Sequence, residues 1–225
     1  MPTVIFDLDS TLFACETLEK ILMEKADAKT QVEIKTITEQ GMAGEINFLE
    51  SLKKRLALVN LEQADLMTLI QHSEAYFSTG MQELIEELQI EKVAVWIVSG
   101  TLRDIVIAAG KAVKIPKERC LGIELQWDQG GHYKSIDESL PINRSKWEEA
   151  QNVASTWSHP AIAIGDGMTD YALSEHGLVD YFIAYTEHKR RQQLLDKGVP
   201  EANNVQELKQ LLGKLLHGKT ELPVK

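Results

Sequence analysis

Cysteine is scarce in this chain. Among 225 residues only Cys15 and Cys120 occur, far apart and without metal-type spacing, so neither a disulfide framework nor a thiolate zinc site can be built, and reduced thiols in a cytoplasmic compartment are the expectation. Positive charge is in deficit: 24 Lys and Arg face 34 Asp and Glu, a formal net charge of −10. Such a surplus repels phosphate backbones and anionic lipid, which argues against nucleic acid or a membrane surface as partner. Long apolar runs are missing as well, and the first residues, Met1-Pro2-Thr3-Val4-Ile5-Phe6-Asp7, carry no basic segment before an acid. The expectation is a chain neither exported by a signal peptide nor spanning a membrane. The six histidines show no ligand spacing, and there is no internal repeat or low-complexity segment.

What is present is ordinary globular material, 44% hydrophobic and 26% charged, enough to bury a sizeable core. Four short apolar runs end in small or acidic residues: Thr3 to Phe6, Val93 to Val98, Ala161 to Ile164 and Tyr181 to Ala184. Runs of this kind alternating with helical patterns read as buried parallel strands. Helices are expected at 82–88, 103–113, 146–154, 171–175, 189–196 and 205–216. The class is α/β, a doubly wound parallel sheet of Rossmann-like design whose ligands bind beyond the carboxyl ends of the strands.

One connection is too long. The first strand ends at Asp7 and the next begins near Val93, whereas a crossover needs about a dozen residues plus loops, so roughly 60 residues are surplus. Residues 14–75 hold no proline and place apolar residues three and four apart, as in Leu18, Ile21, Leu22 and in Phe48, Leu52, Leu56, Val59. They read as a helical cap inserted over the functional edge, which leaves 1–13 and 76–225 as the core. A smaller hairpin insertion is expected at 121–136, turning at Asp128-Gln129-Gly130-Gly131.

Chemistry concentrates at strand ends. Asp7-Leu8-Asp9-Ser10-Thr11 follows the first strand and Gly165-Asp166-Gly167-Met168-Thr169-Asp170 the third. Each offers two carboxylates to one crevice, or else a turn and a helix cap. Acids from two strands repel each other unless a cation lies between them, and hard oxygen ligands suit Mg²⁺. Ser99-Gly100-Thr101 ends the second strand before a helix, a small-residue turn or an anion site. A dinucleotide fingerprint is excluded, because Asp170 stands at the third glycine position and the first strand lacks glycines. Lys189-Arg190-Arg191 reads as the solvated face of a helix, and Cys15 as a buried thiol.

In this order, Asp7-x-Asp9-Ser10-Thr11-Leu12, Ser99-Gly100, Lys146 and Gly165-Asp166-Gly167-x-x-Asp170 resemble the four motifs of the haloacid-dehalogenase superfamily of phosphatases. The insertion, with Glu16 and Met42-x-Gly44-x-x-x-Phe48-x-x-Ser51-Leu52-x-x-Arg55, is similar to the helical cap of phosphoserine phosphatases. The resemblance implies Asp7 as nucleophile forming an aspartyl-phosphate and Asp9 as general acid and base. It implies Mg²⁺ held by Asp7, the Asp9 carbonyl and Asp166, phosphate held by Ser99, Gly100 and Lys146, and Asp170 orienting Lys146 or the metal's water shell. Arg144 competes with Lys146 for its place, and a helix cap with the role of Asp170. In the cap it implies Arg55 gripping a substrate carboxylate, Glu16 its ammonium, Thr169 a further contact, and Met42 and Phe48 closing over the site. The alternatives are an internal ion pair for Arg55, a competing pair on Glu19, and plain core packing for Met42 and Phe48. Thr101 stands where many relatives have a second glycine, and Thr169 where asparagine is frequent. The implied activity is Mg²⁺-dependent hydrolysis of a small phosphate monoester, O-phospho-L-serine first. The alternatives are a related metabolite phosphatase, a phosphotransferase, or a silent binding protein on the same fold. The chain is read as a monomer or a homodimer.

Overall fold

The computed structural model describes residues 1–42 and 45–218. The chain opens with strand β1 (Thr3–Phe6), passes through helices α1 (Thr17–Lys25), α2 (Ala28–Met42), α3 (Phe48–Leu56) and α4 (Met67–Gln71), and returns through α5 (Met81–Ile90) to β2 (Ala94–Leu102). Then come α6 (Arg103–Ala112), β3 (Cys120–Ile123), a hairpin of β4 (Leu125–Trp127) and β5 (Tyr133–Ile136), α7 (Pro141–Arg144) and α8 (Lys146–Val153). The last part alternates β6 (Ala161–Gly165), α9 (Met168–Glu175), β7 (Tyr181–Tyr185), α10 (Gln192–Leu195), β8 (Glu201–Ala202) and α11 (Val205–Leu216). Among the described residues no helix is long and apolar enough to cross a membrane.

The sheet runs in the order β3-β2-β1-β6-β7-β8, every neighbouring pair parallel. The central stretches of β1, β2, β6 and β7 are apolar because both faces are covered. Val4, Phe6, Ile97, Ile164 and Ile183 pack with α5, α6 and α11 on one side. Ile5, Trp96, Val98, Ala163 and Phe182 pack with α8, α9 and α10 on the other. This is the alternation a pleated strand imposes. Two strands had no counterpart in the apolar runs, β3 and the two-residue β8. Because β3 takes 120–123 into the main sheet, the hairpin is confined to 125–136, shorter than the 121–136 read from sequence.

Topology places the site. β1 lies between β2 and β6, with Phe6 level with both Ile97 and Ile164, so Asp7 and Asp166 leave the sheet side by side at the point where the strand order reverses, while β2 runs on through Ser99 to Leu102 instead of ending before it. Beyond β1 the chain makes one tight helical turn with Ser10 in the left-handed region (φ 54°, ψ 12°), a costly conformation for a residue with a β-carbon.

The helical stretch α1 to α4 leaves and rejoins the sheet domain at one crossing, where Ala14 N donates to the Tyr76 carbonyl at 2.8 Å and Ser78 N to the Leu12 carbonyl at 2.7 Å. We propose this crossing as the boundary between core and cap. The cap's apolar stripe, Leu18, Ile21, Leu22, Ile34, Leu52 and Leu56, is buried and continuous with the core. The hairpin braces it, with Tyr133 N donating to the Leu61 carbonyl and Gln63 N to the Gly131 carbonyl, each at 2.8 Å.

Candidate active site

A cavity of about 450 Å³ opens between the sheet's carboxyl edge and the cap, lined by Asp7, Asp9, Ser99, Gly100, Lys146, Asp166 and Thr169 from the core and by Glu16, Glu19, Phe48 and Arg55 from the cap. Of the residues singled out by sequence, these meet in one place. Met42 ends α2, and its side chain lies outside the described residues.

Lys146 is the hub. Ser145 caps α8 by accepting from Glu148 N at 3.3 Å, which makes Lys146 the first helical residue and turns it into the crevice. Its Nζ lies 2.7 Å from Asp7 Oδ1 and 2.5 Å from Asp170 Oδ1. Burial alone would lower its pKa, but Asp170 and Asp7 outweigh burial and hold the ammonium charged. Arg144, the competitor, points away and pairs with Glu148 and the carbonyls of Glu138 and Ser139. Asp170 fills both of the roles open to it, since its Oδ2 also accepts from Gly167 N at 3.1 Å. Gly165 is what admits it, for a β-carbon there would run into the Asp170 side chain.

Asp7, Asp166 and Asp170 are buried, and one carboxylate oxygen from each lies within 4.8 Å of the others. Burial first, then the charge of Asp7, pushes Asp166 up to about 6 against the pull of Arg191. The same two causes push Asp170 up to about 7 even with Lys146 beside it. Three acids sharing so few cations are short of positive charge, and an all-oxygen donor set of this size suits a hard divalent ion. The residues present therefore fit Mg²⁺.

Asp9 is treated differently by its surroundings. Its Oδ2 accepts from Thr17 Oγ1 at 3.1 Å, while its Oδ1 is buried with no partner among the described residues. Burial, then the charges of Glu16 and Asp7, raises its pKa well above the usual carboxylate range, so this carboxyl tends to hold a proton.

Ser99 is buried and its Oγ accepts from Thr101 N at 3.4 Å. Gly100 is the contact point between core and cap, where a β-carbon would stand 3.3 Å from the Phe48 ring and 3.6 Å from Lys146 Cε. Phe48 thus lies against the glycine turn. Arg55 is half-buried, and among the described residues its hydrogen bond runs from Nε to the Ser51 carbonyl at 3.3 Å. Burial lowers its pKa, opposed by Glu19, Glu16 and Asp9. Among the described residues it forms no ion pair, so the internal pairing weighed from sequence does not occur.

Glu16 is not free. It accepts from Ser10 Oγ and from Lys189 Nζ, both at 2.7 Å. Burial would raise its pKa, but Lys189 and Ser10 turn the net shift downward. The run Lys189-Arg190-Arg191 therefore needs correction: it precedes α10 instead of lying on a helix, and each member pairs with an acid. Lys189 holds Glu16, Arg190 holds Glu201, and Arg191 reaches Asp166 Oδ2 through Nε at 3.0 Å and Nη2 at 2.9 Å. Buried carboxylates recruit whatever cations the next strand end supplies. The available signal was position, because the run follows the fourth strand just as the acid pairs follow the first and third.

The sequence model of the haloacid dehalogenase-like hydrolases matches residues 4–175. Human phosphoserine phosphatase is 28% identical over 198 residues, which are 86% of this chain and 85% of that protein. The chloroplastic phosphoserine phosphatase of Arabidopsis thaliana is 28% identical over 185 residues, 81% of this chain, which spans 62% of the plant protein's length. A phosphoserine phosphohydrolase-like protein of Francisella tularensis, solved by crystallography, superposes with a TM-score of 0.87 at 34% identity, covering 94% of this chain and 100% of that one. With the family match running over most of its length, the chain belongs to the haloacid dehalogenase-like hydrolases and is a phosphoric-monoester hydrolase similar to phosphoserine phosphatases.

Proposed function

We propose that this enzyme hydrolyses O-phospho-L-serine to L-serine and phosphate with Mg²⁺ as cofactor. The observation that carries the substrate reading is Arg55, a guanidinium lining the cavity with no carboxylate partner among the described residues. Arginine is rarely left unpaired in a half-buried site, and its planar fork matches a carboxylate two-pronged. Human and Arabidopsis relatives named phosphoserine phosphatase support the same substrate.

The chain's own residues supply the chemistry in two displacements. A carboxylate oxygen of Asp7 attacks phosphorus and the bond to the seryl oxygen breaks, while Asp9 gives its proton to that oxygen. Water then attacks the aspartyl-phosphate, Asp9 takes the water's proton, and the bond from phosphorus to Asp7 breaks to release phosphate. Lys146, the Ser99 hydroxyl and the Gly100 amide hold the phosphoryl oxygens. Mg²⁺, held by Asp7, Asp166 and the Asp9 carbonyl, supplies neutralisation of the charge that nucleophile and phosphate bring together. Glu16 faces the substrate's ammonium while sharing its carboxylate with Lys189, Thr169 adds a polar contact, and Phe48 shields the site from water. Met42, near the end of α2, is assigned to the same closure.

The test is a panel of phosphoserine, phosphothreonine, phosphoethanolamine and sugar phosphates, assayed with Mg²⁺ and with a chelator. The highest kcat/KM should fall on phosphoserine, only with the metal, and Asp7→Asn should abolish turnover in a folded protein. Preference for an ester lacking the amino-acid head, or turnover surviving Asp7→Asn, would sink the reading.

A further inference from the structure

Two buried hydroxyls stand behind Asp9 and have no part in the reaction described above. Thr17, the first residue of α1, is 0% exposed, and Thr101, on β2, is 2% exposed. Their Oγ1 atoms lie 2.6 Å apart, and Thr17 Oγ1 donates to Asp9 Oδ2 at 3.1 Å. A hydroxyl has a single proton to give. Thr17 spends its proton on Asp9, so Thr101 is the donor in the 2.6 Å contact and the chain has one direction, from Thr101 to Thr17 to Asp9. Successive hydrogen bonds of this kind polarise and strengthen one another away from water.

The result is an asymmetric carboxyl. Oδ2 is tied to the chain of hydroxyls and Oδ1 is left buried without a partner among the described residues. Thr101 also donates its backbone N–H to Ser99 Oγ at 3.4 Å, so one residue touches both the glycine turn and the support of Asp9. Glycine at this position would keep the backbone bond and lose the hydroxyl.

We propose that Thr101 is a positioning residue for Asp9: through Thr17 it fixes the orientation of the carboxyl that gives its proton to the oxygen of the leaving alcohol. The inference rests on the reading of Asp9 as the acid that protonates that oxygen. A misaligned acid penalises an ester in proportion to the basicity of its leaving group, because an alkoxide needs the proton and a p-nitrophenolate scarcely does.

The test compares Thr101→Val and Thr101→Ser with the wild type, by kcat/KM on phosphoserine and phosphoethanolamine, which are alkyl esters, and on p-nitrophenyl phosphate. Thr101→Val should lose about fivefold to tenfold on the alkyl esters, the effect of one hydrogen bond, and less than about twofold on the aryl ester. Thr101→Ser, which restores the hydroxyl, should stay within about twofold of wild type on all of them. The ratio of alkyl to aryl activity within one preparation is independent of how much of it is folded. Equal losses on both kinds of ester, no loss, a loss concentrated on the aryl ester, or serine failing to rescue each overturns the inference while leaving the phosphatase reading intact. Wild-type protein that cleaves the aryl ester but no alkyl ester overturns both.

Discussion

Arg55→Ala separates recognition from chemistry. Among the described residues the guanidinium makes one long hydrogen bond, to the Ser51 carbonyl at 3.3 Å, and no ion pair, so removing it breaks no salt bridge there. The folding cost is then mostly the lost packing of its half-buried stem, about 1 kcal/mol or roughly 2–4 °C in Tm for a chain of this size. Binding should suffer more. A charge-assisted hydrogen bond is worth about 1.5–3 kcal/mol, and at about 1.4 kcal/mol per factor of ten the KM for phosphoserine should rise about tenfold to a hundredfold. Because the substrate carboxylate is remote from phosphorus and does not change on the way to the transition state, kcat should change little. Steady-state kinetics on phosphoserine and on p-nitrophenyl phosphate, which has no carboxylate, gives the answer from one preparation. If KM rises equally for both, or for neither, Arg55 supports the cap and does not read the substrate.

Two further outcomes follow from the charges around the cavity. Asp166 at about 6 and Asp170 at about 7 are raised above ordinary carboxylates, so the metal-free fold favours their protonated forms and loses stability as pH climbs from about 4 towards 7, where they are forced to ionise. Mg²⁺ needs them ionised, hence its stabilising effect grows with pH: at a hundredfold over its Kd it is worth about 2.7 kcal/mol, or about 5–10 °C in Tm at pH 8, and far less at pH 5, and a thermal-shift series showing equal gains at both pH values would refute this. Lys189→Met frees Glu16 from a partly exposed ion pair at small cost in stability, and should lower the KM for phosphoserine about threefold to tenfold relative to its amine-free analogue 3-phosphonooxypropanoate; parallel changes on the two substrates would show that Lys189 does not compete for the ammonium site.

How much was legible in the sequence depended on how local the cause was. β1, β2, β6 and β7 could be read because a strand covered on both faces is apolar over most of its length. β3, built from Cys120, Leu121, Gly122 and Ile123, could not, since a glycine and a cysteine dilute the pattern and its strand character comes from pairing with β2. The acid pairs were legible as a cluster because strand ends of one parallel sheet converge. The partners of those acids were not. Arg191 lies 25 residues from Asp166, Lys189 lies 173 from Glu16, and Thr101 lies 84 from Thr17. A basic run is judged in sequence by its neighbours, whereas in the fold it is governed by the carboxylates across the crevice, which no local pattern encodes.

Distant partners also distinguish two carboxylates that are almost adjacent in sequence and are proposed to do opposite things. Asp7 and Asp9 lie in one turn beyond one strand, so the strand alone cannot tell nucleophile from acid. Their partners can. Asp7 Oδ1 receives the Lys146 ammonium at 2.7 Å and the Leu8 N–H at 2.7 Å, company that suits the nucleophile proposed for it. Asp9 receives the Thr17 hydroxyl at 3.1 Å, and its Oδ1 has no partner among the described residues, with Glu16 and Asp7 adding repulsion to its burial. Lys146 comes from the start of α8 and Thr17 from the start of α1, so the division of labour is imposed by two helix N-termini that the fold brings to either side of one turn. The residue type is the same at both positions, so the proposed roles belong to the surroundings of each carboxyl.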